Sequence, residues 1–167
     1  IDTKLIVTPT FRDIALNKQP ISSTHVRANE EHIDFKDLRL YCATFKKQNL
    51  NFLEILLSPY YIVNPLYKSE WDRLVAAREE ITHYDPKRAV MSMMGLARTK
   101  YKQLEHESPS HEKDIERFGY SPKELCHLYR IEEYLERYIA GEPYADCLVS
   151  KRAGYLKGVK AGNWGID

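Results

Sequence analysis

EHIDFKDLRLYCATF (Glu31–Phe45) changes its period at Asp37. Up to that residue polar and apolar side chains alternate. Ile33 and Phe35 fall on one face of an extended chain, His32 and Asp34 on the other. Beyond it apolar residues recur at helical spacing, at Leu38, Tyr41 and Phe45, and then at Phe52, Ile55 and Leu56. Asp37 is a natural N-cap for that helix. Gln48-Asn49-Leu50 predicts a break that leaves two helical segments. The switch at Asp37 divides the chain, with extended segments before it and helices after it.

Before the switch, Lys4–Thr10 is β-rich and stops at Pro9, and Thr10–Asn17 reads as a short helix. Residues 23–35 read as two strands around a turn at Ala28-Asn29-Glu30. After the switch, residues 59–65 are a short strand or an extended link. Helices are predicted over 65–83, entered through Asn64-Pro65, and over 85–106, with Asp85 as N-cap and Pro86 in the first turn. Ser121-Pro122 repeats that device for a helix ended by Gly141. A weaker last helix over 150–162 is loosened by Gly154 and Gly158. A β-rich start followed by a run of helices predicts an α+β fold rather than alternating α/β. The expected division is a small mixed sheet with short helical connections in 1–64 and a helical region in 65–167.

Composition narrows the function classes. The chain has 167 residues, 43% hydrophobic and 29% charged, which suits one globular domain or one with a small appendage. A net charge of +1 provides no global field toward nucleic acid or membrane, so any anion site is a local patch. Glycine is scarce, at 7, and no Gly-rich phosphate loop is present. Cys42, Cys126 and Cys147 are far apart and odd in number, which argues against a zinc site or disulfide framework and for a reducing compartment, the cytoplasm. No stretch is long and apolar enough to span a bilayer, so no membrane partner is expected.

Four groups of residues are candidates for chemistry. Asp2 stands just before a strand and Asp34 within another. A strand carboxylate opposite the core face is ordinarily solvated. If the two meet on one face, they can hold a pair of Mg²⁺ ions about 4 Å apart for phosphoryl transfer. On the helix from Ser121, Leu128, Ile131, Leu135 and Ile139 form an apolar stripe, with Lys123, His127, Arg130 and Tyr134 in a second stripe beside it. The second stripe either lines a phosphate-binding cleft or consists of boundary residues whose stems pack and whose heads reach water. Asn51 and Glu54 are three apart; Glu54 is either an exposed helix charge or an inward carboxylate satisfying a buried base. Lys151, Arg152, Lys157 and Lys160, with Tyr155 and Trp164, form a modest nucleic-acid patch or a solvated face.

The strings IDTKLIVTPTFRDIAL (1–16), EEHIDFKDLRLY (30–41), NLNFLEILLSPYYIVNPLY (49–67) and YSPKELCHLYRIEEYL (120–135) together resemble predicted bacterial and phage nucleotidyltransferases of the DNA polymerase beta superfamily, the group that includes the RNA-repair-pathway family. The resemblance spans nearly the whole chain. That superfamily carries a Gly-Ser signature, an Asp-x-Asp pair at the start of a strand and a third carboxylate on a neighbouring strand. Asp2 matches the second member of the pair and Asp34 the third carboxylate. The first Asp and the Gly-Ser loop are expected ahead of Ile1, and the chain without them is expected to be inactive alone. Tyr120, Lys123, His127 and Arg130 match the family's late-helix residues, and Asn51 and Glu54 its N-x-x-E stretch.

The resemblance implies a polymerase-beta-like nucleotidyltransferase core in 1–64 and a helical C-terminal domain in 65–167. It implies transfer of a nucleoside monophosphate from an NTP to an acceptor hydroxyl, possibly on RNA, with two Mg²⁺ ions held by Asp2, Asp34 and the Asp expected ahead of Ile1. Tyr120, Lys123, His127 and Arg130 would then bind substrate. The alternative is a non-catalytic module that binds RNA or a protein on the same scaffold.

Overall fold

The computed structural model describes residues 2–21, 24–28, 31–106 and 112–163, with side chains over 3–21, 33–106 and 112–163. The chain divides into two compact units, Ile1–Asp85 and Pro86–Asp167. It is α+β, with every described strand in the first unit and a wholly helical second unit.

In the first unit, β1 (Asp2–Val7), β2 (Thr24–Ala28) and β3 (Glu31–Asp37) form a mixed sheet in the order β1-β3-β2. β3 is central, parallel to β1 and antiparallel to β2. A parallel pair cannot be closed by a tight turn, so the chain crosses over through α1 (Phe11–Ala15) and β2. Thr10 and Asp13 cap α1 reciprocally, each side chain accepting from the other's backbone N–H. The centre of the expected turn between β2 and β3, Asn29-Glu30, lies outside the described residues.

Asp37 caps α2 (Leu38–Lys46) as its position predicts, its carboxylate accepting from the Arg39 N–H at 2.8 Å. The expected break falls at Gln48, whose φ of 52° is left-handed. An L-residue meets a cost there. The buried Gln48 amide helps hold the conformation by donating to the carbonyls of Phe45 (3.0 Å) and Ile81 (2.8 Å). α3 (Leu50–Leu53) follows, running into a 3-10 turn over Glu54–Leu57. Residues 59–64 form an extended link. The helix expected over 65–83 is divided into a 3-10 turn at Pro65–Tyr67, α4 (Lys68–Ala76) and α5 (Arg78–Thr82). α4 and α5 belong to the first compact unit, which extends to Asp85, whereas the sequence boundary was drawn at 64/65. The core of this unit is built on Tyr41, Leu53 and Leu56, all nearly inaccessible.

The second unit packs α6 (Pro86–Gln103) and α10 (Ala153–Lys160) against α8 (Pro122–Ile139), with α7 (Glu112–Phe118) and α9 (Tyr144–Cys147) between them in sequence. Both α7 and α9 were missed by periodicity, being too short to show a helical stripe. Ser121 caps α8, Pro122 opens it, and Gly141 follows its end at φ +79°.

The faces of α8 are not those that apolar periodicity predicts. Cys126, Ile131, Tyr134 and Tyr138 are buried together with Glu124, Glu133 and Arg137, whereas Leu128 and Leu135 are half-buried and Ile139 is 68% exposed. The core of this helix is aromatic: Tyr134 stacks on Tyr138 at 5.8 Å, and Tyr144 of α9 meets both rings edge-on. The buried charges are paired. Lys100 of α6 lies 2.9 Å from Glu124; Arg137 bonds Glu142 and the Val149 carbonyl; Glu133 accepts from the Ser150 hydroxyl and the Lys151 N–H. Burial alone would raise the Glu133 carboxyl, but those two hydrogen bonds, together with the Arg152 and Arg137 charges, hold it below the usual range.

Candidate active site

The first group of site residues lies on β1 and β3. In their parallel register Asp2 is opposite His32 and Lys4 opposite Asp34. Side chains alternate along a strand, so positions 2, 4, 34 and 36 share one face of the sheet. The two strands carry the same short pattern, Asp2-Thr3-Lys4 and Asp34-Phe35-Lys36, offset by two residues. Acidic and basic positions therefore alternate along each strand, Lys4 lies directly opposite Asp34, and positions 2 and 34 are diagonal to each other.

Lys4 and Lys36 were not singled out from sequence. The signal was present, a repeated Asp-x-Lys, but only the register shows that the two copies are adjacent.

This face is not open in the way a solvated strand face would be, because α2 and α3 cover part of it. Lys36 is 8% exposed, and its ammonium lies 3.4 Å from the centroid of the Phe52 ring and 5.8 Å from that of Tyr41. Aromatic faces are favourable for a cation that has lost water. Burial lowers the Lys36 pKa; Asp34 opposes that shift and Lys4 adds to it. Lys4 lies 5.6 Å from the Phe52 ring, donates to Glu54 at 2.9 Å and also bonds the Asn51 carbonyl. Of the two readings left open for Glu54, its exposure favours the surface charge: the side chain is 47% exposed, and the strand lysine it pairs with is not buried. The Asn51–Glu54 stretch thus acts as a clasp on β1.

Tyr41 lies beside Lys36 and feels the Asp34 charge. Its ring is fully buried, and its hydroxyl has no hydrogen-bond partner among the described residues. Burial first, and the Asp34 charge second, push its pKa up to about 12. Below about pH 10 the phenol is protonated in both folded and unfolded chains. Between about 10 and 12 the unfolded chain loses a proton that the folded chain keeps, so stability falls across that window. Tyr41→Phe is expected to flatten this alkaline loss, and at neutral pH to leave stability unchanged or raise it by up to about 1 kcal/mol, since it removes an unsatisfied buried hydroxyl. Denaturant midpoints measured from neutral pH upward for both proteins check it. A variant that is clearly less stable at neutral pH would mean that the hydroxyl has a partner.

The second group lies in the second unit. Lys123 and Arg130 are exposed on α8, and His127 is half-buried between them. Burial lowers the His127 pKa; Glu124 counters this, while Lys100, Arg130 and Lys123 reinforce it. The imidazole is therefore neutral at pH 7 amid a local excess of positive charge. Tyr120, 6% exposed, belongs to the core just ahead of the Ser121 cap. Tyr134, placed in the same stripe by spacing, is core as well. In the tail, Lys151 pairs with Glu142 and Arg152 with Glu132, so half of the basic patch read from sequence is engaged in ion pairs; Trp164 lies outside the described residues.

Among the described residues no three His, Cys, Asp or Glu side chains are grouped to hold a metal ion. The carboxylate at 34 and the position of Asp2 nevertheless suit a hard cation. Diagonal positions on adjacent parallel strands have Cα atoms about 8 Å apart, a span that two aspartates can bridge through bound ions. Among the described residues no helix is long and apolar enough to cross a membrane. No family model, curated protein or solved structure matches this chain.

Proposed function

We propose that the protein is a nucleotidyltransferase that moves a nucleoside monophosphate from an NTP to an acceptor hydroxyl, an RNA end being the favoured acceptor class. The observation that carries this reading is the parallel register of β1 and β3, in which positions 2 and 34 are diagonal to each other on one face of adjacent strands and Lys4 lies directly opposite Asp34.

In this reading Asp2 and Asp34 hold two Mg²⁺ ions. When bound, Mg²⁺ supplies positive charge at the phosphate oxygens and lowers the pKa of the acceptor hydroxyl. Lys36 keeps a cation beside Asp34 and is fixed there by Phe52 and Tyr41. Lys4, clasped by Glu54 and the Asn51 carbonyl, fixes β1 against α3 and thereby the height of Asp2 relative to Asp34. Phosphoryl transfer depends mainly on positioning and charge stabilisation, which is the kind of work these rigid contacts do. In the second unit the exposed Lys123 and Arg130 form a cationic surface suited to phosphate groups, with the neutral His127 between them, while Tyr120 belongs to the core just ahead of α8.

Titration of the protein with a non-hydrolysable NTP tests the reading. Binding is expected with Mg²⁺ and is expected to weaken by about tenfold or more when EDTA replaces the metal, a change of about 1.4 kcal/mol. Tight RNA binding that falls steeply with salt and is indifferent to both NTP and Mg²⁺ would favour the non-catalytic alternative.

A further inference from the structure

Part of the apolar stripe on α8 is left accessible, Leu128 and Leu135 being half-buried and Ile139 exposed. Leu128, Leu135 and Ile139 line an open groove of about 780 Å³ between α8 and the end of α6, bordered by the carboxylates of Glu105, Glu132 and Glu136. Isolated exposed apolar residues are ordinary, but a continuous apolar groove within a charged border marks an interaction surface.

The neighbouring helix carries a complementary stripe. On α6, Lys87, Met91, Met94, Arg98, Tyr101 and Lys102 fall within about 100° of arc at 100° per residue. All six are exposed, Met91 at 64%, Met94 at 60% and Tyr101 at 70%. Methionine is an adaptable contact residue, suited to a surface that must repack on a partner. The border of this stripe is basic, whereas that of the groove is acidic apart from Lys102; Tyr101 and Lys102 lie at the junction and belong to both surfaces. Their lengths also agree: Lys87 to Lys102 spans about 22 Å and Leu125 to Ile139 about 21 Å at 1.5 Å per residue.

We propose that the occupant of the groove is the α6 stripe of a second copy of this chain, so that α6 and α8 of two copies form an isologous four-helix contact. A two-fold axis makes the arrangement self-consistent. Each copy offers one acidic groove and one basic stripe, and each groove is filled by the other's stripe. Met91, Met94 and Tyr101 cover Leu128, Leu135 and Ile139, while Arg98 and Lys87 face Glu132 and Glu136. Glu132 also lies 3.4 Å from Arg152 of its own chain at a solvent-accessible contact, a pairing weak enough to be shared.

The test is the molar mass of the full chain by light scattering and sedimentation, at moderate and high salt. A dimer is expected at micromolar concentration. Glu132→Arg with Glu136→Arg is expected to weaken dimerisation at least tenfold, because the reversal places like charges opposite each other twice per dimer. Arg98→Glu with Lys87→Glu is expected to do the same. Combining all four substitutions is expected to restore the dimer. The altered side chains are at the surface, and circular dichroism of each variant confirms folding. A wild-type chain that stays monomeric up to roughly 100 μM, well above the affinities of specific protein contacts, overturns the proposal. So does a dimer indifferent to both reversals, or a combined variant that is no better than either half. The readout is mass alone, so it is independent of whether the protein transfers nucleotides.

Discussion

Asp34→Asn is expected to abolish Mg²⁺-dependent nucleotide transfer by the full-length protein, with a loss on the order of 10³-fold or more. Removing one charge-stabilising group from a phosphoryl-transfer site has effects of this size. The substitution is nearly isosteric, so packing against the neighbouring strands and Tyr41 is kept. Its structural cost is the loss of a negative charge near the Lys36 ammonium, an effect on stability of about 1 kcal/mol. Activity and stability should therefore separate. Single-turnover transfer from labelled NTP, read beside the denaturant midpoint, distinguishes the outcomes. Transfer that survives in Asp34→Asn removes this residue from the site. Lost transfer accompanied by lost folding would instead make Asp34 a structural partner of Lys36. Lys36→Met provides the control: if the lysine only neutralises Asp34, the variant keeps its fold and alters the Mg²⁺ dependence.

The largest effect on stability is expected from Tyr134→Ala, at about 3–5 kcal/mol. Tyr134 is 4% exposed and contacts the rings of both Tyr138 and Tyr144, so truncation opens a cavity at the centre of the second unit. Burial also drives its pKa strongly upward, as expected for a phenol far from water. Arg130→Ala, one turn earlier in the same predicted stripe, is expected to change stability by no more than about 0.5 kcal/mol, because its side chain is exposed. Thermal or chemical unfolding of the two variants checks the contrast. Equal losses would mean that the stripe is uniform along its length, contrary to the burial pattern.

Elements with strong local signals were legible without the fold. The change of period at Asp37, the caps at Asp37 and Ser121, the break at Gln48 and the stop at Gly141 all appear in the structure, because each depends on chemistry within a few residues. Both α7 and α9 did not show, being seven and four residues long. The division of the 65–83 helix near Ala77 has no signal among its residues that we can identify.

For the candidate site, sequence supplied the residue types and the tertiary structure supplied their adjacency. Asp34 was legible as a carboxylate inside a strand. That it lies across from Lys4, and that Lys36 is buried against Phe52, follows from pairing between segments about thirty residues apart in the chain and from a helix packed on the face expected to be solvated. The same limit applies to α8. Hydrophobicity alone predicts Leu128, Ile131, Leu135 and Ile139 as its inner face, and of these only Ile131 is buried. The tertiary structure instead buries tyrosines and paired charges, because Tyr144, Ser150, Glu142 and Lys100 come from elsewhere in the chain to satisfy them. Local sequence determined the strands and the longer helices and several of their ends, through short-range sterics and capping. Which face of each is inward was decided only by long-range partners, since a buried polar group is acceptable where another element brings its counterpart.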